Sequence, residues 1–341
     1  MNENNLLTLG LETSCDETAA SVARGPFEIL SSVVASQTDI HNKYGGVVPE
    51  LASRRHAELI SPLAMEALDK ARVSIQDIGL VSVTRGPGLV GALLVGVSYA
   101  KAFAYARNIP LIGVNHLDGH VYAAFLENPQ APLPMVSLLV SGGHSELFVV
   151  REIGKLERLG GTRDDAAGEA FDKVAKMLGL AYPGGPEVER MARQGSAKFH
   201  VPVALPGDTM DFSFSGPKTA VKNIIRAQEK AGGVMPVADI CASFQKSLID
   251  ALIAKTKVAV DVSGAKSISV GGGVACNGAL RERMRTLGAA LGLPVIIPSV
   301  SLCADNAAMI AAVGAYKYLA DSANPAFMDY MELDADPAWE P

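Results

Sequence analysis

Cysteine is scarce in this 341-residue sequence: Cys15, Cys241, Cys276 and Cys303 are the only four, and none belongs to a CxxC pair. That spacing excludes a zinc ribbon and provides no disulfide framework, so a reducing, cytoplasmic setting is expected. Long apolar runs are lacking too. The longest, Leu89 to Ala106, is interrupted by Gly91, Gly96, Ser98 and Lys101, which suits a buried helix and not a membrane span. The opening MNENNLLTLG has no basic n-region and no signal-type apolar core, so no secretory leader is expected. No tract is of low complexity. Charged residues make up 19% of the chain, below the usual ~25%. Their balance is −6, which lacks the basic footprint of a dedicated nucleic-acid binder.

What is present is a large apolar fraction, 49%, enough for a sizeable core. The 33 glycines and 19 prolines are clustered, marking turns and backbone-lined pockets. Strands are expected at Leu6 to Glu12, Ala19 to Arg24 and Glu28 to Ser36, close enough to form an antiparallel meander. A helix from Pro49 follows, with Pro62 expected to kink it. Next come a strand Leu80 to Thr84, a helix Leu89 to Ala106 and a strand Leu111 to Val114. The order then recurs. Strands are expected at Val136 to Val140, Glu146 to Arg151 and Leu156 to Gly160, and helices at 167–180, 185–194, 217–231 and 237–260. The run closes with strand, helix, strand and helix at 267–270, 278–291, 294–297 and 305–319. Two βββα-type halves without a sequence repeat predict a duplicated α/β scaffold with a cleft between lobes. The first lobe is expected at 1–115, with about 305–341 packing back onto it, and the second at 116–304.

His116-Leu-Asp-Gly-His120 is the sharpest local signal. Two of the six histidines stand four residues apart, so on a helix both rings leave one face and reach one metal. A protease of the H-E-x-x-H kind needs Glu after the first His, and here that position is Leu117. The bland alternative is a hydrogen-bonded pair at a hinge. Glu12-Thr-Ser-Cys-Asp16-Glu17-Thr18 places hydroxyls and acids at a hairpin turn, which suits a nucleotide phosphate or ordinary turn chemistry. Val140-Ser141-Gly142-Gly143-His144 repeats that look in the second half, with glycines that admit a ligand close to backbone. Asp164 and Asp165 read as helix capping, whereas Asp172, two turns in, suits a ligand hydroxyl or amine. In Ser269-Val-Gly-Gly-Gly-Val-Ala-Cys-Asn277, a strand runs through a glycine turn into a helix, an arrangement that suits an adenosine, with Asn277 offering its amide. Asp305 is either a simple N-cap or a hard third ligand beside the two histidines.

These motifs, together with Gly45-Gly-Val-Val-Pro-Glu-Leu-Ala-Ser-Arg54, Arg85-Gly-Pro-Gly88, Tyr182-Pro-Gly-Gly-Pro186, Phe212-Ser-Phe-Ser215 and Asp305-Asn-Ala-Ala-Met309, resemble the tRNA threonylcarbamoyladenosine transferases of the bacterial TsaD type, once named O-sialoglycoprotein endopeptidases. The likeness runs from about Leu7 to Leu319. It implies the actin/Hsp70/sugar-kinase (ASKHA) fold and transfer of a threonylcarbamoyl group from threonylcarbamoyl-AMP to the tRNA adenosine 3′ of the anticodon, in tRNAs reading ANN codons. It also implies a divalent metal, iron by family with zinc or magnesium as alternatives, on His116, His120 and Asp305. The adenylate would lie against Leu139, Val140, Ser141, Gly142, Gly143, Asp172, Gly185 and Asn277. Glu12, Asp16 and Glu17 would matter for activity, the last two as catalytic acids. Implied partners are tRNA, a degenerate TsaB-type paralogue and a small TsaE-type P-loop ATPase, with no membrane. Two positions depart from the family's pattern. Asp118 stands where Glu is common, and Pro217 where Leu is common. A small-molecule kinase of the same fold, a metalloprotease and a non-catalytic scaffold are the competing readings.

Overall fold

The computed structural model describes residues 5–340. In chain order the elements are β1 (Leu7–Glu12), β2 (Glu17–Arg24), β3 (Glu28–Ser36), α1 (Thr38–Asn42), α2 (Pro49–Ala71), β4 (Leu80–Gly86), α3 (Val90–Arg107), β5 (Leu111–Asn115) and α4 (His116–Glu127). Then follow β6 (Met135–Val140), β7 (Ser145–Glu152), β8 (Lys155–Gly161), α5 (Ala167–Met177), α6 (Gly184–Ala192), α7 (Ser215–Ala231) and α8 (Val237–Ser263). The chain closes through β9 (Ser267–Gly271), α9 (Gly278–Leu291), β10 (Val295–Ile296), α10 (Val300–Cys303) and α11 (Ala307–Ala320).

The strands form two five-stranded sheets with one topology. The first has the order β3-β2-β1-β4-β5 and the second β10-β9-β6-β7-β8. In each, the first three strands in sequence pair antiparallel and the remaining two add in parallel. Short loops permit only the antiparallel pairings, and the parallel ones need helical crossovers. The duplication expected from the element order is therefore present in the strand order.

The chain divides into two compact units, Met1–Gln130 with Pro298–Pro341, and Ala131–Ile297. The sequence reading put the boundary near 115 and His116 in the second lobe. The first unit instead runs on through α4, because that helix packs on α11 and β5 and carries its burial with them.

Side-chain alternation builds the first unit. Leu9 and Leu11 of β1 join Val81 and Val83 of β4 in a core with Ile60, Leu63 and Leu68 of α2 and Val97 of α3. The intervening positions face α11. A methyl group at Gly10 would lie 2.5 Å from the Ala307 carbonyl oxygen, and one at Gly314 would lie 1.7 Å from Ser82 Oγ. Glycine at both contacts lets α11 lie directly on the sheet, and this brings the residue just ahead of α11 to the end of β1. Helix α2 continues through Pro62 as one element.

Within the second unit, α8 packs on α6, α7, α9 and β6. Residues 195–214 hold no regular helix and include a bridge from Phe212 to Thr162, just past β8.

Candidate metal centre

Asn115 ends β5 and caps α4, its Oδ1 accepting from the backbone N–H of Leu117 at 2.8 Å and of Asp118 at 3.4 Å. The cap starts the helix at His116, and His120 follows one turn later on the same side. The two rings meet edge to face with centroids 4.6 Å apart. Both side chains are buried.

The third member comes from far along the chain. The sequence left Asp305 open as the cap of the last helix. The structure gives that role to Asn306, whose side chain accepts from Met309 N at 3.0 Å. Asp305 is thereby left to face the histidines. Its Oδ1 lies 3.1 Å from His120 Nε2 and 3.6 Å from His116 Nε2. One donor atom from each of the three residues lies within 4.8 Å of the others. Ligands bound at about 2.0–2.2 Å to one ion stand no more than about 4.4 Å apart, so the two measured separations to Asp305 fit a shared cation.

The surroundings of His116 also fit. Its Nδ1 is 3.0 Å from Glu12 Oε2, at the end of β1, and 3.2 Å from Ser14 Oγ. Glu12 is fixed in turn by Thr84 Oγ1, which donates to Oε2 at 2.6 Å, and by Ser14 N, which donates to Oε1 at 2.5 Å. A carboxylate on Nδ1 sets the ring's tautomer and aims the Nε2 lone pair at an ion, as around many metal-binding histidines. His120 Nδ1 is buried without a partner, so no competing contact turns that ring.

The electrostatics follow from burial and charge. Burial opposes the His116 imidazolium, but the charges of Glu12 and Asp305 and the Glu12 hydrogen bond outweigh it, and its pKa is pushed up to about 9. For Glu12, burial alone would raise the carboxyl; the charge and hydrogen bond of His116 prevail and hold it below the usual carboxylate range. Glu17 goes the other way, pushed up to about 9 by burial and then by the charges of Asp305 and Asp16. Burial, followed by the charge of Asp16, raises the Cys15 thiol far above its ordinary value, so it is no nucleophile at neutral pH.

The turn that carries Cys15, Asp16 and Glu17 is held from α2. His56 bridges the Cys15 carbonyl oxygen at 2.9 Å through Nε2 and Thr18 Oγ1 at 2.8 Å through Nδ1. Sequence reasoning missed His56, Thr84 and the capping role of Asn115. Only the last had a signal: an Asn ahead of a first-turn Asp118. The Asp118 departure is accommodated, since its Oδ2 accepts from Lys317 Nζ of α11 at 3.0 Å.

The remaining predicted residues gather in the second unit. Leu139 and Val140 are fully buried, so only their backbone can meet a ligand. Ser141 N donates to the His144 carbonyl oxygen at 2.8 Å, closing a tight turn over Gly142 and Gly143. Open space lies where side chains at those two glycines would stand. The same strand end pairs with the end of β9, Leu139 opposite Gly271, from which the glycine turn leaves. Asn277 caps α9 through Leu280 N at 3.0 Å and donates to Gln245 Oε1 at 2.9 Å, so part of its amide is already engaged. Asp172 Oδ1 accepts from Gly184 N at 2.6 Å and fixes the Tyr182–Pro186 turn, beside which Gly185 is open.

Asp164 and Asp165 are not helix caps, because α5 begins only at Ala167. Asp164 accepts from Ser213 Oγ and from the N–H groups of Phe214 and Ser215 at 2.5, 2.8 and 3.2 Å. Asp165 pairs with Lys173 at 2.6 Å and with Lys218. Pro217 falls in the first turn of α7, where a backbone N–H has no intrahelical partner, so it removes nothing the helix uses.

A family model described as TsaD, tRNA N6-adenosine threonylcarbamoyltransferase, matches residues 28–312. The curated protein of that name from Geotalea daltonii is 51% identical over 337 residues, spanning 98% of this chain and 97% of its own. The one from Bacillus cereus is 49% identical over 332 residues, spanning 95% of this chain and 96% of its own. Among solved structures, T. kodakarensis HypF superposes with a TM-score of 0.63 at 16% identity, covering 95% of this chain and 49% of that one. Component A of the Acidaminococcus fermentans (R)-2-hydroxyglutaryl-CoA dehydratase gives 0.54 at 16% identity, covering 92% and 99%. At such identities these two show the fold alone, the expected actin/Hsp70/sugar-kinase type. Matched by the family model over most of its length and about half identical to relatives of equal span, the chain belongs to the tRNA N6-adenosine threonylcarbamoyltransferases of the TsaD family, enzymes that modify tRNA.

Proposed function

We propose that the threonylcarbamoyl donor is threonylcarbamoyl-AMP and that transfer depends on a divalent cation, iron by family resemblance, held by His116, His120 and Asp305. The observation that carries this reading is the convergence of those three side chains, with Glu12 orienting His116 from behind. A cation bound there supplies Lewis acidity to the reacting carbonyl.

The chain's own residues do the rest. Gly142 and Gly143 offer backbone N–H groups to the donor, the open face of Gly185 admits it, and Asp172 and Asn277 orient it. The exocyclic N6 of adenosine attacks the carbamoyl carbon. The new C–N bond forms, the C–O bond to phosphate breaks, AMP leaves with the electron pair, and the N6 proton passes to the departing phosphate or water. The amine is a poor nucleophile, so positioning and charge stabilisation carry most of the acceleration. Glu17 keeps its proton at neutral pH, chiefly through burial, and serves as donor to charge developing on oxygen, with Asp16 beside it. The raised Cys15 thiol supports direct transfer without an acyl-enzyme.

The acceptor is the adenosine 3′ of the anticodon in tRNAs reading ANN codons. Lys222, Arg226 and Lys230 stand four residues apart and exposed on α7, a row suited to phosphates on a chain of net charge −6. Lys218, which continues the row, is occupied by Asp165, and Arg55 by Glu58. Family resemblance supports a TsaB-type paralogue and a TsaE-type ATPase as partners. A cytoplasmic location accords with the four free thiols and the tRNA substrate. Among the described residues no helix is long and apolar enough to cross a membrane.

The test is incubation of the purified chain, with its partners, with threonylcarbamoyl-AMP and unmodified tRNA. Stoichiometric AMP release and threonylcarbamoyladenosine formation are expected. AMP release without modified nucleoside would support a hydrolase instead.

A further inference from the structure

The segment 334–340, which follows α11 and an irregular stretch, lies across the ends of β4 and β5. Arg85 Nε donates to the Asp334 carbonyl oxygen at 2.8 Å, and Asp336 N donates to the Arg85 carbonyl oxygen at 2.8 Å. Gly88 N donates to the Pro337 carbonyl oxygen at 3.2 Å. The ring of Trp339, the chain's one tryptophan, lies 5.2 Å from the Arg85 guanidinium carbon and 5.9 Å from Lys317 Nζ. A side chain at Gly86 would put its first carbon 1.8 Å from the Asp336 carbonyl oxygen, so glycine is what admits the segment.

Its last contact reaches the metal helix. Asn115 Nδ2 donates to the Trp339 carbonyl oxygen at 3.0 Å, while Asn115 Oδ1 caps α4. An asparagine amide is nearly symmetric in shape, and Asn115 is fully buried. Only the correct flip presents oxygen to the helix N–H groups; the wrong one would set NH₂ against them. A carbonyl acceptor on the other side selects the correct flip. Lys317 ties the same segment to α4, through its 3.0 Å pair with Asp118.

We infer that segment 334–340 is a positioning strap for the metal centre: the Trp339 carbonyl orients the Asn115 amide, which sets the first turn of α4 and so aims His116 and His120. The inference rests on the metal-centre reading. Asn115 and the strap touch no reacting atom and act through the two histidines.

Asn115→Asp separates the two functions of this residue: a carboxylate presents a capping oxygen in either orientation, so the cap no longer needs the Trp339 carbonyl, and the donor to Trp339 is lost. The segment itself is displaced by Gly86→Ala, whose methyl would meet the Asp336 carbonyl oxygen, or removed in a variant ending at Leu333. Metal-stripped full chain, Gly86→Ala, the shortened chain, and each of these with Asn115→Asp are titrated with Co²⁺, read by visible absorption. Hydrogen exchange of the Leu117 and Asp118 amides is followed without metal. The strap account predicts that losing the segment weakens Co²⁺ binding and speeds exchange at the two amides, each by about tenfold, when residue 115 is Asn, and changes both by less than about threefold when it is Asp. No effect of Gly86→Ala, or an equal effect in the two backgrounds, would overturn it, whether or not the shortened chain folds. If wild-type chain binds no Co²⁺ but the exchange effect is present, the metal-centre reading fails while the coupling of strap to α4 stands; if both are absent, both fail.

Discussion

His120 Nε2 and Asp305 Oδ1 lie 3.1 Å apart although 185 residues separate them in sequence. Nothing local brings them together. The approach depends on α11 lying close against β1 and β4 through Gly10 and Gly314, and on Asn306 taking the capping role that would otherwise occupy Asp305. The centre is thus a product of the first unit's packing, and its parts respond to substitution in distinguishable ways.

Glu12 orients His116 and touches nothing that reacts. Glu12→Gln keeps the size and the contact from Thr84 but removes the charge behind the imidazole. Metal affinity is expected to fall about 10- to 100-fold, as for other lost carboxylate supports of metal-binding histidines. Isothermal titration with Zn²⁺ or Co²⁺ measures this, and Thr84→Val should give a smaller loss in the same direction.

Stability of the metal-stripped protein should depend on pH with a definite sign. The His116 pKa is about 9 folded against 6.5 for an ordinary histidine. Its contribution is therefore complete below 6.5 and is lost as pH rises through about 9. Urea midpoints should fall between pH 6.5 and 9.5 in the stripped protein, and His116→Gln should reduce that fall, the remainder coming from Glu17, whose carboxyl, raised to about 9, also costs stability as pH rises. Bound metal competes with the proton on His116, so the loaded protein should lack the His116 part of the decline.

Asp164 holds the Phe212–Ser215 loop through three acceptor contacts, beneath which Phe212 and Phe214 stack with centroids 5.9 Å apart. Asp164→Ala should destabilise the second unit by about 1–3 kcal/mol, seen as an earlier denaturation midpoint. Asp164→Asn, which keeps one acceptor oxygen, should recover part of the loss.

Charge reversal on α7 tests the tRNA surface. Lys222→Glu and Arg226→Glu should each weaken tRNA binding for all acceptor sequences alike and lower the salt dependence by about one counterion per phosphate contact. Filter binding between 50 and 200 mM salt, as an order-of-magnitude range, reads both effects.

The first antiparallel meander and the recurrence of the element order were legible, because short loops force antiparallel neighbours; the order of the strands across each sheet was not, since it depends on which edge each helical crossover returns to. The His116–His120 pair was legible from its four-residue spacing. Short elements such as α1 and α10 were not, since a single turn carries no apolar periodicity. The lobe boundary was misplaced because α4 is buried almost all round, its two histidines included, and only packing decides which sheet it joins. Asp164 and Asp165 looked like caps because acids precede a helix; Asp164 instead meets Ser213 to Ser215 and Asp165 meets Lys218, all about fifty residues away, and only Lys173, the other partner of Asp165, is local. The strap was invisible, because Asn115 and Trp339 are 224 residues apart and one partner is a backbone carbonyl.

The most direct test compares metal-stripped wild-type chain with Asp305→Asn, partners present, for threonylcarbamoyl transfer to tRNA as Fe²⁺ or Zn²⁺ is added back. Wild-type activity should rise in proportion to metal bound and saturate at one ion per chain, while Asp305→Asn should need at least about tenfold more metal for the same rate. Full transfer by the stripped wild-type chain, or an unchanged response in Asp305→Asn, would contradict the assignment of this centre to the reaction.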